Sequence, residues 1–209
     1  DGDRCFFYDE NGDFVDGYYI VAILAKYFLQ LHPNSAILYD PRCWWATVDT
    51  VNKLGGNPIK EKVGHVFFKG SMRKNNAIYG GEMSAHHYFR DFWSCDNGLI
   101  PFLIIWQMVS KGHNLSEVAK PFRENYPISG EINFTVKSVD RSLMEIESRY
   151  AGEQIDYFDG ISIDHDREWR VSIRGSKNEP LLRLNVEAKS TGLVAEKVKE
   201  FSDLIKSIG

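Results

Sequence analysis

Cysteine is scarce in this chain: Cys5, Cys43 and Cys95 are widely spaced and odd in number. Such a set provides neither a disulfide framework nor a thiolate metal site, and a reducing cytosol is the expected home. An excess of positive charge is also missing. The 25 Lys and Arg residues face 29 Asp and Glu, a net charge of −4, and a dedicated nucleic-acid binder needs cations to neutralise a run of phosphates. No apolar run is long enough to cross a bilayer. The longest, about Leu99 to Val109, contains Pro101 and Gln107 and falls well short of the ~20 residues required. No membrane partner and no signal peptide are expected, and neither internal repeats nor low-complexity stretches occur. What is present is the composition of a soluble globular protein, with 43% apolar and 26% charged residues. The 209 residues leave room for one or two domains with sizeable cores.

The pattern along the chain changes about halfway. Cys5 to Val15 reads as a hairpin around the turn chemistry of Asp9-Glu10-Asn11-Gly12-Asp13. Helical spacing covers Tyr18 to Leu31 and stops at Pro33. Strands are expected at Ala36–Tyr39, Pro58-Ile59 and Ala77–Tyr79, with helices at Trp45–Leu54, Val66–Lys74, Asn97–Lys111 and Ser116–Asn125. Alternating strands and helices predict an α/β layered domain, helices on both faces of a mixed, largely parallel sheet. Pro127-Ile128-Ser129-Gly130 is the best linker candidate. Beyond it, strands at Ile132–Val136, Gly160–Ile163, Trp169–Ile173 and Leu182–Val186 join helices at Val139–Tyr150 and Leu193–Ile208. That second pattern predicts a small α+β domain, an antiparallel sheet with helices on one face. The expected boundaries are 1–13, 14–126 and 127–209.

The stretch with most chemistry is Gly80-Gly81-Glu82-Met83-Ser84-Ala85-His86-His87. A glycine pair lets the chain leave a strand in conformations other residues avoid, so a loop at a strand end is expected there, with a helical segment later in the chain. In an extended loop Glu82, Ser84 and His86 would point the same way. A carboxylate accepts from hydroxyls, while serine and neutral histidine donate and accept, a set suited to a sugar. By composition alone a polar surface loop is the commoner outcome. Ligands gather beyond the carboxyl ends of strands in such sheets, and Arg42, His65 and Glu82 each follow an expected strand. Trp44, Trp45 and Trp93 read as core or rim residues, and Cys95 as structural. A guanidinium fork binds phosphate bidentately, and small polar residues in a turn complete an anion cradle. Arg174, Ser176, Lys177 and Asn178 have that character.

Three ordered motifs carry a family resemblance. Gly81-Glu82-Met83-Ser84-Ala85-His86 resembles the sugar-binding loop of the α-D-phosphohexomutases, Asp1-Gly2-Asp3-Arg4 the end of their metal loop, and Arg174-Gly175-Ser176-Lys177-Asn178-Glu179-Pro180 their phosphate-binding loop. Met83 and the continuation Tyr88-Phe89-Arg90-Asp91 point to the phosphomannomutase branch. Phosphoglucomutase and phosphoglucosamine mutase stay open as alternatives, the latter usually with glutamine where Met83 stands, and so does a non-catalytic phosphosugar-binding module. The resemblance implies interconversion of mannose 6-phosphate and mannose 1-phosphate through a phosphoserine and a hexose 1,6-bisphosphate, which also serves as activator.

It also implies roles residue by residue. Asp1 and Asp3 are two of three aspartate ligands to Mg²⁺, Arg4 lies near the transferring phosphate, and His65 and Arg42 stand near the reacting groups. Glu82, Ser84 and His86 bind the sugar, while Arg174, Ser176, Lys177 and Asn178 bind phosphate. Arg42 is assigned to orientation, since arginine is a poor general base; the usual threonine at position 178 is asparagine. The phosphoserine context is absent, so the chain is expected to be a C-terminal piece that lacks the N-terminal domains of the same protein. Turnover by the piece alone is not expected, and its Mg²⁺ binding is expected to be weak or absent.

Overall fold

Asp9 closes a tight turn on itself: its Oδ1 accepts from the backbone N–H groups of Asn11 and Asp13, both at 3.0 Å. Gly12 supplies the positive φ (82°) the turn demands, and β1 (Phe7–Tyr8) pairs antiparallel with β2 (Phe14–Val15). The computed structural model describes residues 2–176 and 179–208. It divides into two units, Asp1–Glu124 and Asn125–Gly209.

In the first unit, α1 (Gly17–Leu31) starts where Asp16 accepts from the Tyr18 N–H at 2.8 Å, an N-cap that satisfies one orphan donor. The sheet has the order β4 (Asn57–Lys60), β3 (Ala36–Tyr39), β5 (Tyr79–Gly81), β6 (His87–Phe89), β7 (Cys95–Asp96). β3 pairs parallel with β4 and β5, whereas β6 and β7 add an antiparallel edge. The helices are α2 (Trp45–Lys53), α3 (His65–Asn75), α4 (Leu99–Ser110) and α5 (Leu115–Asn125).

The glycine pair plays a different part from the one its sequence suggests. Gly80 and Gly81 lie inside β5, and neither has positive φ. A Cβ on Gly81 would sit 2.6 Å from a Val21 methyl of α1, and one on Gly80 would sit 3.2 Å from the Phe68 ring of α3. Successive strand residues face opposite sides, so α1 and α3 cover opposite faces and both pack too close for side chains. The segment directly after the loop is strand: β6 pairs antiparallel with β5, then a 3-10 turn (Arg90–Phe92) leads to β7, and the expected later helix follows as α4.

The second unit orders its strands β8 (Ile132–Thr135), β12 (Leu181–Ala188), β11 (Trp169–Gly175), β10 (Ile161–His165), β9 (Gln154–Asp156), all antiparallel. Ile163, Val171, Ile173 and Leu184 point to one face and pack with α6 (Val139–Arg149) and α7 (Thr191–Ile208) through Ile146, Phe201 and Ile205. The opposite face carries Ser162, Arg170, Ser172 and Glu187. The segment Pro127–Gly130 is fastened to β12: Ala188 N donates to the Pro127 carbonyl at 3.1 Å and Ser129 N to that of Val186 at 2.9 Å. Among the described residues, no helix is long and apolar enough to cross a membrane.

Candidate active site

Past β3, the fully buried Asp40 collects four donors. Its carboxylate accepts from the backbone N–H of Arg42 (2.7 Å), from Arg42 Nε (3.1 Å) and Nη2 (2.8 Å), and from the N–H of Met83 (2.7 Å). Arg42 is thereby fixed in a planar fork, 6% exposed, and the same carboxylate ties the end of β3 to the loop after β5.

That loop is a tight turn, and the expectation of an extended Glu82-Ser84-His86 row does not hold. Ala85 N donates to the Glu82 carbonyl at 3.0 Å, Glu82 N to the His86 carbonyl at 2.9 Å, and Ala85 takes a left-handed φ of 69°. Two strands that pair antiparallel leave only the five residues 82–86 to reverse the chain, which excludes an extended path. The turn nevertheless gathers the same side chains. Ser84 Oγ donates to Glu82 Oε2 at 3.1 Å and Tyr88 OH to Oε1 at 2.6 Å. Glu82 is only 1% exposed. Burial first, then the neighbouring Glu82 charge, pushes the Tyr88 hydroxyl far above its usual range, so it stays a donor.

His65 opens α3 directly after Gly64, whose φ of 131° turns the chain out of the preceding loop. Its ring meets that of His86 edge-on, centroids 4.5 Å apart. Both Nδ1 atoms face one oxygen, Asp96 Oδ2, at 3.2 Å for His65 and 3.1 Å for His86. Lys69 Nζ lies 3.0 Å from Asp96 Oδ1. Burial raises the Asp96 pKa, but the Lys69 hydrogen bond and the charges of His65 and Lys69 outweigh it and hold the acid below its ordinary value. Asp3 reaches the group from the N-terminal loop, Oδ2 3.7 Å from His86 Nδ1. Arg4 joins through its backbone, bridged to His86, while its guanidinium lies 6.0 Å over the Phe6 ring. His87, next in sequence, points the other way. It is fully buried, its Nδ1 2.7 Å from Tyr79 OH, and burial together with the neighbouring His86 lowers its pKa to about 3.

In the second unit Arg174 stands on β11 directly opposite Arg183 on β12. Like charges at opposed positions repel. Asp159 lies 4.0 Å from Arg174, and Glu131 lies 3.6 Å from Arg183. Ser176 N donates to the Leu181 carbonyl at 2.8 Å. Asp1, Lys177 and Asn178 lie outside the described residues. Sequence reasoning missed Asp40, Lys69, Tyr88, Asp96 and Arg183. Asp40 and Arg183 sit beside residues it named, whereas Asp96 belongs to a strand with no periodic signal.

Residues 16–126 match the family described as phosphoglucomutase/phosphomannomutase, alpha/beta/alpha domain III, and residues 131–204 match the C-terminal domain of the same family. The chain belongs to the phosphoglucomutase/phosphomannomutase family. A phosphomannomutase of Vibrio cholerae is 49% identical over 213 residues, covering 100% of this chain and 46% of its own length. One from Escherichia coli is 45% identical over 99% of this chain and 46% of its own. The chain therefore spans about half the length of these curated relatives. Among solved structures, a phosphoglucomutase/phosphomannomutase family protein of Burkholderia thailandensis superposes with a TM-score of 0.81 at 24% identity, covering 100% of this chain and 45% of that one. The Paramecium phosphoglucomutase parafusin gives 0.78 at 15% identity, over 99% of this chain and 44% of its own. At those identities the likeness is one of fold. In this phosphoglucomutase/phosphomannomutase chain, Arg42, His65, Glu82 and His86 belong to the first unit and Arg174 and Ser176 to the second.

Proposed function

We propose that this chain is the sugar- and phosphate-binding half of a phosphomannomutase, which interconverts mannose 6-phosphate and mannose 1-phosphate through a hexose 1,6-bisphosphate. The observation that carries the reading is the turn at Glu82–His86, held by Asp40 and Tyr88 beside the paired histidines, in a chain whose relatives at 45–49% identity are phosphomannomutases. Glu82 accepts from sugar hydroxyls, and Ser84 donates or accepts as the sugar presents either end. A near-symmetric acceptor pair suits a substrate that must bind in two orientations. Arg42, fixed by Asp40, orients a phosphate or hydroxyl by charge. Arg174 and Ser176 grip the phosphate that is not reacting, and Lys177 and Asn178 of the same sequence motif are assigned to that phosphate by the resemblance. The nucleophilic serine and its phosphate are supplied by the part of the protein that precedes this chain.

Positioning and charge dominate phosphoryl transfer, and Mg²⁺ supplies charge neutralisation when bound. Magnesium requires a near-octahedral set of oxygens. By the resemblance Mg²⁺ would be held by Asp3 and by Asp1, which lies outside the described residues, together with oxygens from the rest of the protein.

The test is a coupled mutase assay on the full-length gene product, with mannose 1-phosphate and glucose 1-phosphate in parallel and a trace of hexose bisphosphate. Mannose phosphate is expected to turn over. Glu82→Ala and Arg174→Ala are each expected to lower kcat/KM by about 10²-fold or more, as loss of a single charge-stabilising contact does. The isolated 209-residue chain is expected to show none. Binding of either sugar phosphate without turnover by the full-length protein would replace this reading with a non-catalytic module.

A further inference from the structure

Asp3, His65, His86 and Asp96 each offer one ligand atom, and these atoms lie within 4.8 Å of one another. Zinc-class cations bind imidazole nitrogen and carboxylate oxygen at ~2.0–2.2 Å in a tetrahedron, whose edges are then about 3.3 Å long. The separations of His86 Nδ1 and His65 Nδ1 from Asp96 Oδ2 are 3.1 and 3.2 Å, and that of His86 Nδ1 from Asp3 Oδ2 is 3.7 Å. They bracket that edge. We propose that these four side chains form a site for a borderline divalent cation of the zinc, cobalt or nickel class, distinct in its chemistry from the all-oxygen site that magnesium requires.

Three features support the site beyond proximity. The donors are mixed, two imidazoles and two carboxylates, and imidazole suits zinc and nickel whereas magnesium takes oxygen ligands. Lys69 binds Asp96 Oδ1, which keeps Oδ2 turned toward the two imidazoles and orients the carboxylate as outer partners of metal ligands do. Each ligand is also set by a separate element: Asp3 by the N-terminal loop, His65 by the first turn of α3, His86 by the end of the β5–β6 turn and Asp96 by β7. Cation binding here fastens four segments together. A cation in this position occupies both histidines and Asp3, so it is expected to inhibit turnover. That consequence rests on the mutase reading, whereas the binding does not.

Binding is therefore measured without turnover, on the chain itself, with Co²⁺ as the spectroscopic probe and Zn²⁺ as competitor. One equivalent of Co²⁺ is expected to produce the intense visible bands of a tetrahedral site, displaced by Zn²⁺ and unaffected by Mg²⁺ in large excess. His65→Ala, His86→Ala and Asp96→Asn, checked for folding by circular dichroism, are each expected to weaken binding at least about tenfold. His165→Ala, which removes an imidazole paired with Glu153 in the other unit, is expected to change nothing. Should a variant fail to fold, titration of the wild-type chain with Zn²⁺ is followed by NMR, where the ring nitrogens of His65 and His86 are expected to shift alone. The proposal is overturned by absence of the tetrahedral bands, by displacement with Mg²⁺, by binding that survives all three substitutions, or by shifts confined to other histidines.

Discussion

Adjacent residues in one motif can take opposite roles when the strand between them alternates. His86 faces the polar cluster, and His87 faces the core against Tyr79. No described group partners His87 Nε2, and a buried ring without a second partner is cheapest when neutral. Its folded pKa of about 3 lies below the ordinary value of ~6.5 for an unfolded chain. Between those values the unfolded state binds more protons, so stability rises with pH across that window and falls as pH drops from about 6.5 toward 3. Thermal unfolding at several pH values is expected to show this fall in the wild type, with a shallower slope in His87→Gln. Equal slopes would mean the ring is not buried neutral. Asp40 illustrates a different economy. One buried carboxylate satisfies a guanidinium, a backbone N–H of its own loop and that of Met83 in the Glu82–His86 turn.

Glycines let elements approach the site closely. α1 starts at Gly17, where a Cβ would lie 2.2 Å from the Met83 carbonyl oxygen. The helix N-terminus thus sets the position of the Glu82–Ala85 turn. Gly17→Ala is expected to push that turn, costing ~1–3 kcal/mol as overpacking does, with a lower Tm of the chain and, on the proposed mutase reading, a lower kcat/KM of the full-length protein. A stability loss without any effect on the full-length reaction would separate the turn from function. The helices and the hairpin were legible in the sequence because their periodicity is local: α1, α2 and α6 begin or end within two residues of where spacing and caps place them. The β6–β7 edge was not legible. Those strands are two and three residues long, and their partners, not their composition, make them strands.

At the scale of the whole chain, two units each carry their own sheet and core. In the second, Phe201 is fully buried, stacked on Tyr150 at 4.8 Å and tilted against Trp169 at 6.0 Å. A core of that kind supports independent folding, so residues 125–209 expressed alone are expected to give a cooperative thermal transition. Phe201→Ala is expected to remove about 3–5 kcal/mol from it. A non-cooperative melt of the isolated unit would show that it depends on the rest of the chain.

The sequence by itself determined the two-part α/β then α+β organisation and most of the helices and strands, because each is written in residues close together along the chain. Only the tertiary structure decided how the Glu82–His86 turn is held. Met83 N meets Asp40 across 43 positions, His65 and His86 converge on Asp96 from different elements, and Gly80-Gly81 serve two packed helices rather than a flexible exit. These contacts arise from strand order and helix approach, and no local pattern encodes which distant carboxylate a given imidazole or amide will find.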